Sequence, residues 1–189
     1  MILPIYAYGH AVLRTKCAPI TAEYPDLDAF IIDMWETMYH TKGVGLAAPQ
    51  VGRTIRLFVV DTLQIEDDEK RRTEKGIKQV FINAEIIDEM GSPWAYEEGC
   101  LSIPHLRGDV MRDEKIRLRY YDEQGDVHEE TFDGLNARVI QHEYDHTEGV
   151  LFIDKVSPLK KRMMQRKLDG IRNGRVDADY KMKFAPPRK

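Results

Sequence analysis

Two histidines spaced by three residues are the first feature of this sequence able to do chemistry: His142-Glu143-Tyr144-Asp145-His146. On an α-helix, residues four apart lie on one face, one turn from each other, so both imidazoles can share a single cation. Glu143, next to the first histidine, is not needed as a ligand. A carboxylate there can take a proton from a water that the ion has made acidic, which points to metal-assisted hydrolysis.

A catalytic ion needs a third protein ligand and one position left open. A metzincin extension would be satisfied at Gly149 but requires histidine where this chain has Phe152. A thermolysin-like site takes a glutamate from downstream, and no glutamate follows Glu148. Asp169 stays open as an oxygen ligand, although it lies in a basic segment that reads as exposed helix surface. The better candidate is Cys100, within Glu97-Glu98-Gly99-Cys100-Leu101-Ser102-Ile103-Pro104, because a thiolate with two imidazoles makes a three-ligand site for a borderline or soft divalent metal. Cys17 reads instead as a small buried hydrophobe. Two cysteines are too few for a disulfide framework and fit a reducing compartment.

Three segments then fall into one pattern: Gly43-Val44-Gly45-Leu46-Ala47-Ala48-Pro49-Gln50, Glu98-Gly99-Cys100-Leu101-Ser102 and Gln141-His142-Glu143-Tyr144-Asp145-His146. Together, and in this order, they resemble the three motifs of the peptide deformylases. Val12-Leu13-Arg14 and Gly149-Val150-Leu151-Phe152 also resemble family sequence. The resemblance implies a metallohydrolase that removes the N-terminal formyl group from formyl-methionyl nascent polypeptides and releases formate. It implies Cys100, His142 and His146 as ligands of one Fe(II), with Zn(II), Ni(II) or Co(II) as substitutes that ligand softness alone does not separate. It further implies Glu143 as base and then acid, the Leu101 backbone N–H and the Gln50 side-chain amide as donors to the oxyanion, and Gly45 against the substrate. Gly45 also reads as a turn glycine of positive φ. Val44, Gly99, Leu135 and Val139 are expected to bind substrate. Leu135, Val139 and His142 share a helix face and could line an apolar slot for methionine, while ordinary core packing explains Leu135 and Val139 equally well. Arg138 departs from the pattern, because an apolar residue is expected there. Two other functions remain compatible: a metallopeptidase acting on ordinary peptide bonds, and a non-enzymatic module with a closed metal site. The latter needs four ligands, and only three can be named.

These residues have to be positioned by regular elements. Leu27, Phe30, Ile31, Met34, Trp35 and Met38 recur at helical spacing, predicting a helix over residues 26–42 stopped by glycine. After a loop through Pro49, residues 55–60 and 80–87 are rich in β-branched types and read as strands. The charged stretch 66–75 between them reads as a solvated loop. Ile116, Leu118 and Tyr120 alternate with charges, turn residues 123–126 follow, and a second strand is expected near 127–132, making an antiparallel hairpin. Helical spacing returns from Leu135 and ends at Gly149, and a last helix is expected after Pro158. Hairpins with segregated helices predict an α+β class: antiparallel sheets around a central H-E-x-x-H helix, with a C-terminal helix.

With 189 residues and 42% apolar content, one domain over 1–189 is expected to bury a full core. The net charge of −4 gives no global attraction to nucleic acid or anionic membrane. Met1-Ile2-Leu3-Pro4 does not resemble a signal peptide, and no apolar run approaches the roughly 18 residues of a spanning helix. A cytoplasmic monomer without membrane contact is therefore expected. The tail is different: between 160 and 175, Lys160, Lys161, Arg162, Arg166, Lys167, Arg172 and Arg175 face one acid, Asp169. This reads either as a solvated terminal helix or as a surface that docks on ribosomal RNA phosphate through counterion release. On the second reading, residues 160–189 are expected to be removable without loss of rate on short formyl peptides.

Overall fold

The computed structural model describes residues 1–21, 24–65 and 75–186. Along the chain these form Ile5–Tyr6 (β1), Leu27–His40 (α1), Gly45–Ala47 (β2), Leu57–Asp61 (β3), Lys78–Met90 (β4), Trp94–Cys100 (β5), Ile103–Arg112 (β6), Lys115–Tyr121 (β7), Val127–Asp133 (β8), Gly134–Thr147 (α2), Pro158–Arg172 (α3) and Met182–Lys183 (β9). The expected α+β class is what the chain adopts. A five-stranded antiparallel sheet has the order β2-β3-β4-β7-β8, β5 and β6 form a separate antiparallel hairpin, and β1 pairs with β9. The β1–β9 pair is parallel, an addition to the antiparallel sheets predicted from sequence.

Helix α1 buries Phe30, Ile31, Met34 and Met38, as their spacing requires. It ends two residues earlier than expected, and the left-handed residue that follows is Lys42, not Gly43. Gly43 serves a close approach instead, since a Cβ there would stand 3.1 Å from the Leu101 side chain. The predicted hairpin is present as β7 and β8, with Ile116, Leu118 and Tyr120 buried in alternation. Five of the described strands, β1, β2, β5, β6 and β9, escaped the sequence reading. Gly45–Ala47 was expected to be loop, and its three residues are too few to show alternation. In β6 the inward positions include Gly108 and Arg112, so the buried row is not apolar and the period-two signal is lost. The charged stretch 66–75 lies outside the described residues except for Lys75, whose carbonyl accepts from Asn136.

Three apolar clusters surround the centre. One joins α1 to β2 and β3, a second joins α2 to the inner face of the five-stranded sheet, and a third joins β6 and α3 to the segment Leu151–Val156. Helix α2 is buried on almost every side, so its polar residues must find partners inside the protein. Helix α3 is amphipathic: Met164, Leu168 and Ile171, at four- and three-residue intervals, enter the third cluster while Lys160, Arg162, Arg166 and Lys167 are exposed.

The packing of this segment weighs against the expectation that deleting residues 160–189 spares rates on short formyl peptides. Met164, Leu168 and Ile171 fill a core, and beyond α3 the chain returns to pair β9 with β1. Deletion would expose the apolar face of that core and unpair β1.

Candidate metal centre

Cys100, His142 and His146 come together from two elements. The histidines sit one turn apart on α2, with ring centroids 5.1 Å apart. Cys100 ends β5 immediately before the two-residue turn Leu101-Ser102, and the register shifts between Gly99 and Cys100. Such a bulge re-aims a side chain out of the alternation of its strand. The three ligand atoms lie within 4.8 Å of one another, and the Cys100 Sγ is 3.3 Å from the His146 Nε2. Two ligands of one tetrahedral ion with ordinary metal–sulfur and metal–nitrogen bonds stand roughly 3.5 Å apart, so the donor set fits a single divalent ion without rearrangement. Among the described residues no other group of His, Cys, Asp or Glu has this geometry. Asp169, left open by the sequence, is not near it: its carboxylate accepts from Gln165 on α3.

The second layer is a buried charge network that sequence reasoning passed over. Glu98 accepts from Arg112 at 2.7 and 3.0 Å and from Arg138 at 2.9 Å, and lies 2.9 Å from the His142 Nδ1. Arg112 also binds Asp145 at 2.7 Å, and Arg138 reaches the carbonyls of Val110 and Trp94. A carboxylate on Nδ1 fixes the imidazole tautomer and leaves Nε2 for a ligand role. Burial raises the pKa of Glu98, but the bonds from His142 and Arg112 outweigh it and hold the carboxyl well below the usual range. Burial likewise opposes charge on His142, yet Cys100 and Glu98 keep it well above its ordinary value. Glu98 thus favours positive charge on His142, whereas burial and the neighbouring His142 hold the His146 imidazole well below its ordinary value. Arg138, where sequence predicted an apolar residue, is the buried cation that balances this network, its guanidinium 4.6 Å from the Trp94 ring.

Glu143 follows on the same helix, and burial pushes its carboxyl up to about 7. Its Oε2 is buried with no hydrogen-bond partner among the described residues. Its other oxygen faces Gly45, where a Cβ would stand 2.5 Å from Oε1. Gly45 has no positive φ, so the turn reading of this residue is replaced by close approach. Gln50 is oriented by the Ala47 N–H, which donates to its Oε1 at 2.8 Å, leaving Nε2 to donate to the Cys100 Sγ at 3.4 Å.

Above these groups opens a cavity of about 610 Å³. Val44, Gly45, Gln50, Gly99, Cys100, Leu101, Leu135, Val139, His142 and Glu143 all line it, while His146 sits behind them, 1% exposed. Val139 also packs in the α2 cluster, so wall and core are the same residue. Of the remaining histidines, His105 lines the cavity, His128 pairs with Asp122 at 2.7 Å, and the His10 Nδ1 lies 3.4 Å from the Val12 N–H.

A family model described as polypeptide deformylase matches residues 2–162. A peptide deformylase of Flavobacterium johnsoniae is 53% identical over 194 aligned residues, which cover 100% of this chain and 99% of that protein. One from Christiangramia forsetii is 50% identical with the same coverage. Among solved structures, the crystal structure of a peptide deformylase from Legionella pneumophila superposes with a TM-score of 0.79 at 37% identity, covering 94% of this chain and all of that one.

Proposed function

The chain belongs to the polypeptide deformylase family, and from that premise we propose that it hydrolyses the formyl group from the N-terminal methionine of nascent polypeptides, releasing formate. The observation that carries this reading is the convergence of one sulfur and two imidazole donors within 4.8 Å at the floor of a cavity, beside a buried carboxyl poised near neutrality.

A divalent ion bound by Cys100, His142 and His146 would supply a Lewis acid for the formyl oxygen and acidify a water. Glu143 takes the proton from that water, a task suited to a carboxyl whose pKa lies near the working pH. It then passes the proton to the leaving amine, so one residue acts as base and acid in turn. The Leu101 N–H and the Gln50 Nε2 donate to the oxygen on which negative charge develops, and the Ala47 N–H keeps the Gln50 amide turned the right way. Gly45 lets substrate backbone approach Glu143. Val44, Leu135 and Val139 accept the methionine side chain, gaining about 0.8 kcal/mol per buried methylene, and Gly99 borders the peptide path. The reading assigns Fe(II) to the site, one ion per chain, with Zn(II), Ni(II) or Co(II) as substitutes compatible with the same donors.

No helix among the described residues is long and apolar enough to cross a membrane, and the proposed setting is the cytoplasm, as a monomer. The exposed cations of α3 fit the phosphate surface of a ribosome from which such substrates emerge. The deciding experiment measures metal content and formate release from formyl-Met-Ala-Ser, with unformylated Met-Ala-Ser alongside, on protein prepared without oxygen. Formate release that leaves the Met–Ala bond intact is expected. Cleavage of the unformylated peptide without formate release would make the protein a peptidase and overturn the reading.

A further inference from the structure

The family match ends at residue 162, yet the cavity is completed by residues far beyond it. After α3 the chain runs back as a strap. The Asp177 carbonyl is 2.5 Å from the His105 Nε2, the Lys181 and Lys183 carbonyls accept from the Ile5 and Ala7 N–H groups at 2.9 Å, and the Lys183 Nζ reaches the Tyr6 hydroxyl at 2.9 Å. Val176, Met182 and Phe184 pack on the α3 cluster, and Tyr180 and Met182 on the α1 cluster. Between these fastenings Ala178, Asp179 and Tyr180 face the cavity. The Tyr180 hydroxyl donates to the Leu101 carbonyl at 2.8 Å.

We infer that this strap is a wall of the substrate cavity and that Tyr180 is a positioning residue for the Leu101 turn. The inference rests on the deformylase reading of the cavity. The turn joins β5 to β6 with only Leu101 and Ser102, and it carries Cys100 on one side and the Leu101 N–H within it. Each of its carbonyls is held from outside the hairpin: Leu101 by Tyr180, and Ser102 by the Tyr8 N–H at 2.8 Å. A donor that stabilises developing charge must be fixed to within about 0.5 Å, and a two-residue turn has no means of its own to achieve that. The strap supplies one of the two outside restraints, and its ring side closes the cavity.

The test compares the holoenzyme with Tyr180→Phe, Tyr180→Ala, Ala178→Trp and Lys183→Met. Tyr180→Phe keeps the wall and loses the hydroxyl. It is expected to lower kcat on formyl-Met-Ala-Ser about two- to tenfold, the range of one net hydrogen bond, with KM and melting temperature close to the parent. Tyr180→Ala opens the wall and is expected to weaken binding of the product Met-Ala-Ser, measured by calorimetry, by about fivefold or more. Ala178→Trp fills the cavity from the strap without removing a contact, so it raises KM even if Tyr180→Ala fails to fold. Lys183→Met cuts a fastening outside the cavity and should leave kcat and product affinity as they are. An unchanged kcat in Tyr180→Phe overturns the positioning role. Unchanged KM in Ala178→Trp overturns the wall, and an equal loss in Lys183→Met reduces Tyr180 to one anchor among several. If the parent binds Met-Ala-Ser but releases no formate, the deformylase reading fails alone, and the binding measurements still decide the wall.

Discussion

Helices α2 and α3 have 14 and 15 residues and both carry ionisable side chains along their length, but they treat charge in opposite ways. In α2, Arg138, Glu143, Asp145 and His146 are buried; Arg138 pairs with Glu98 and Asp145 with Arg112, while the Glu143 Oε2 and His146 Nδ1 have no hydrogen-bond partner among the described residues. In α3, Arg162, Arg166 and Lys167 point to water, and solvent does the matching. A buried polar group costs free energy unless paired, so each member of the α2 network depends on the others. Arg162, Arg166 and Lys167 are nearly independent, whereas Lys161 at one side pairs with Asp154 and the Arg172 guanidinium lies over the Tyr8 ring.

Substitutions should therefore fall in a steep order across the two regions. Glu143→Ala is expected to lower the rate of formate release about 10²- to 10⁴-fold while metal content and melting temperature hold, because the role proposed for the residue is to move protons without ligating. Loss of the metal together with the fold would place Glu143 in the structural network instead. Glu98→Ala leaves Arg112 with Asp145 as its one carboxylate, Arg138 with backbone carbonyls alone and the His142 Nδ1 without its carboxylate, with an expected loss of roughly 3–5 kcal/mol in stability by urea unfolding. Metal affinity should fall about 10- to 100-fold in the same variant. A variant as stable as the parent would show that the two arginines find solvent without Glu98. On the other helix, Leu168→Ala removes a fully buried side chain, for about 2–5 kcal/mol, with the metal retained. Metal loss there would mean that the two regions are coupled.

Asp154 offers a smaller, pH-dependent contrast. Burial raises its pKa, but Arg14, the Leu151 N–H and Lys161 outweigh it and hold the carboxyl down to about 2. A depressed carboxylate stabilises the fold above its unfolded pKa, near 4, and loses that effect as pH falls through the folded value. The gap between the parent and Asp154→Asn should be about 1 kcal/mol at neutral pH, after allowance for solvent screening of a partly exposed pair, and should narrow below about pH 4. A gap that does not change with pH would assign the effect to shape rather than charge. Smallest of all, Arg166→Ala should leave stability within about 0.5 kcal/mol of the parent, and a larger change would mean that this exposed cation has a partner on the folded chain.

The same contrast governs what the sequence discloses. Ligand spacing on a helix is local, so His142, Glu143 and His146 could be read directly; β7 followed from alternation, and β8 from the turn residues 123–126 before it. Cys100 needed a search for a third ligand, because it lies 46 positions before His146, on a hairpin rather than on the helix. Glu98 and Arg112 stayed hidden for a physical reason: nothing local distinguishes a buried carboxylate from a solvated one, and they meet only when β5 folds on β6 beneath α2. The strap was hidden more deeply, since its basic neighbours look like surface and its pairing partner lies at the other end of the described chain.

That pairing also sets a clock. The Lys183 side chain and its partner Tyr6 are separated by 177 positions, so β1 must wait for nearly all of the intervening chain to be synthesised before β9 exists to meet it. Closing so long a loop is slow, and it cannot precede synthesis of Lys183. The Leu101 turn gains its restraint from Tyr180 at that same moment. A chain still being translated therefore carries its ligand helix long before it carries a finished cavity. Exchange protection at the Ile5 and Ala7 amides, which bond to the strap, reports when a newly made molecule has become able to work on others.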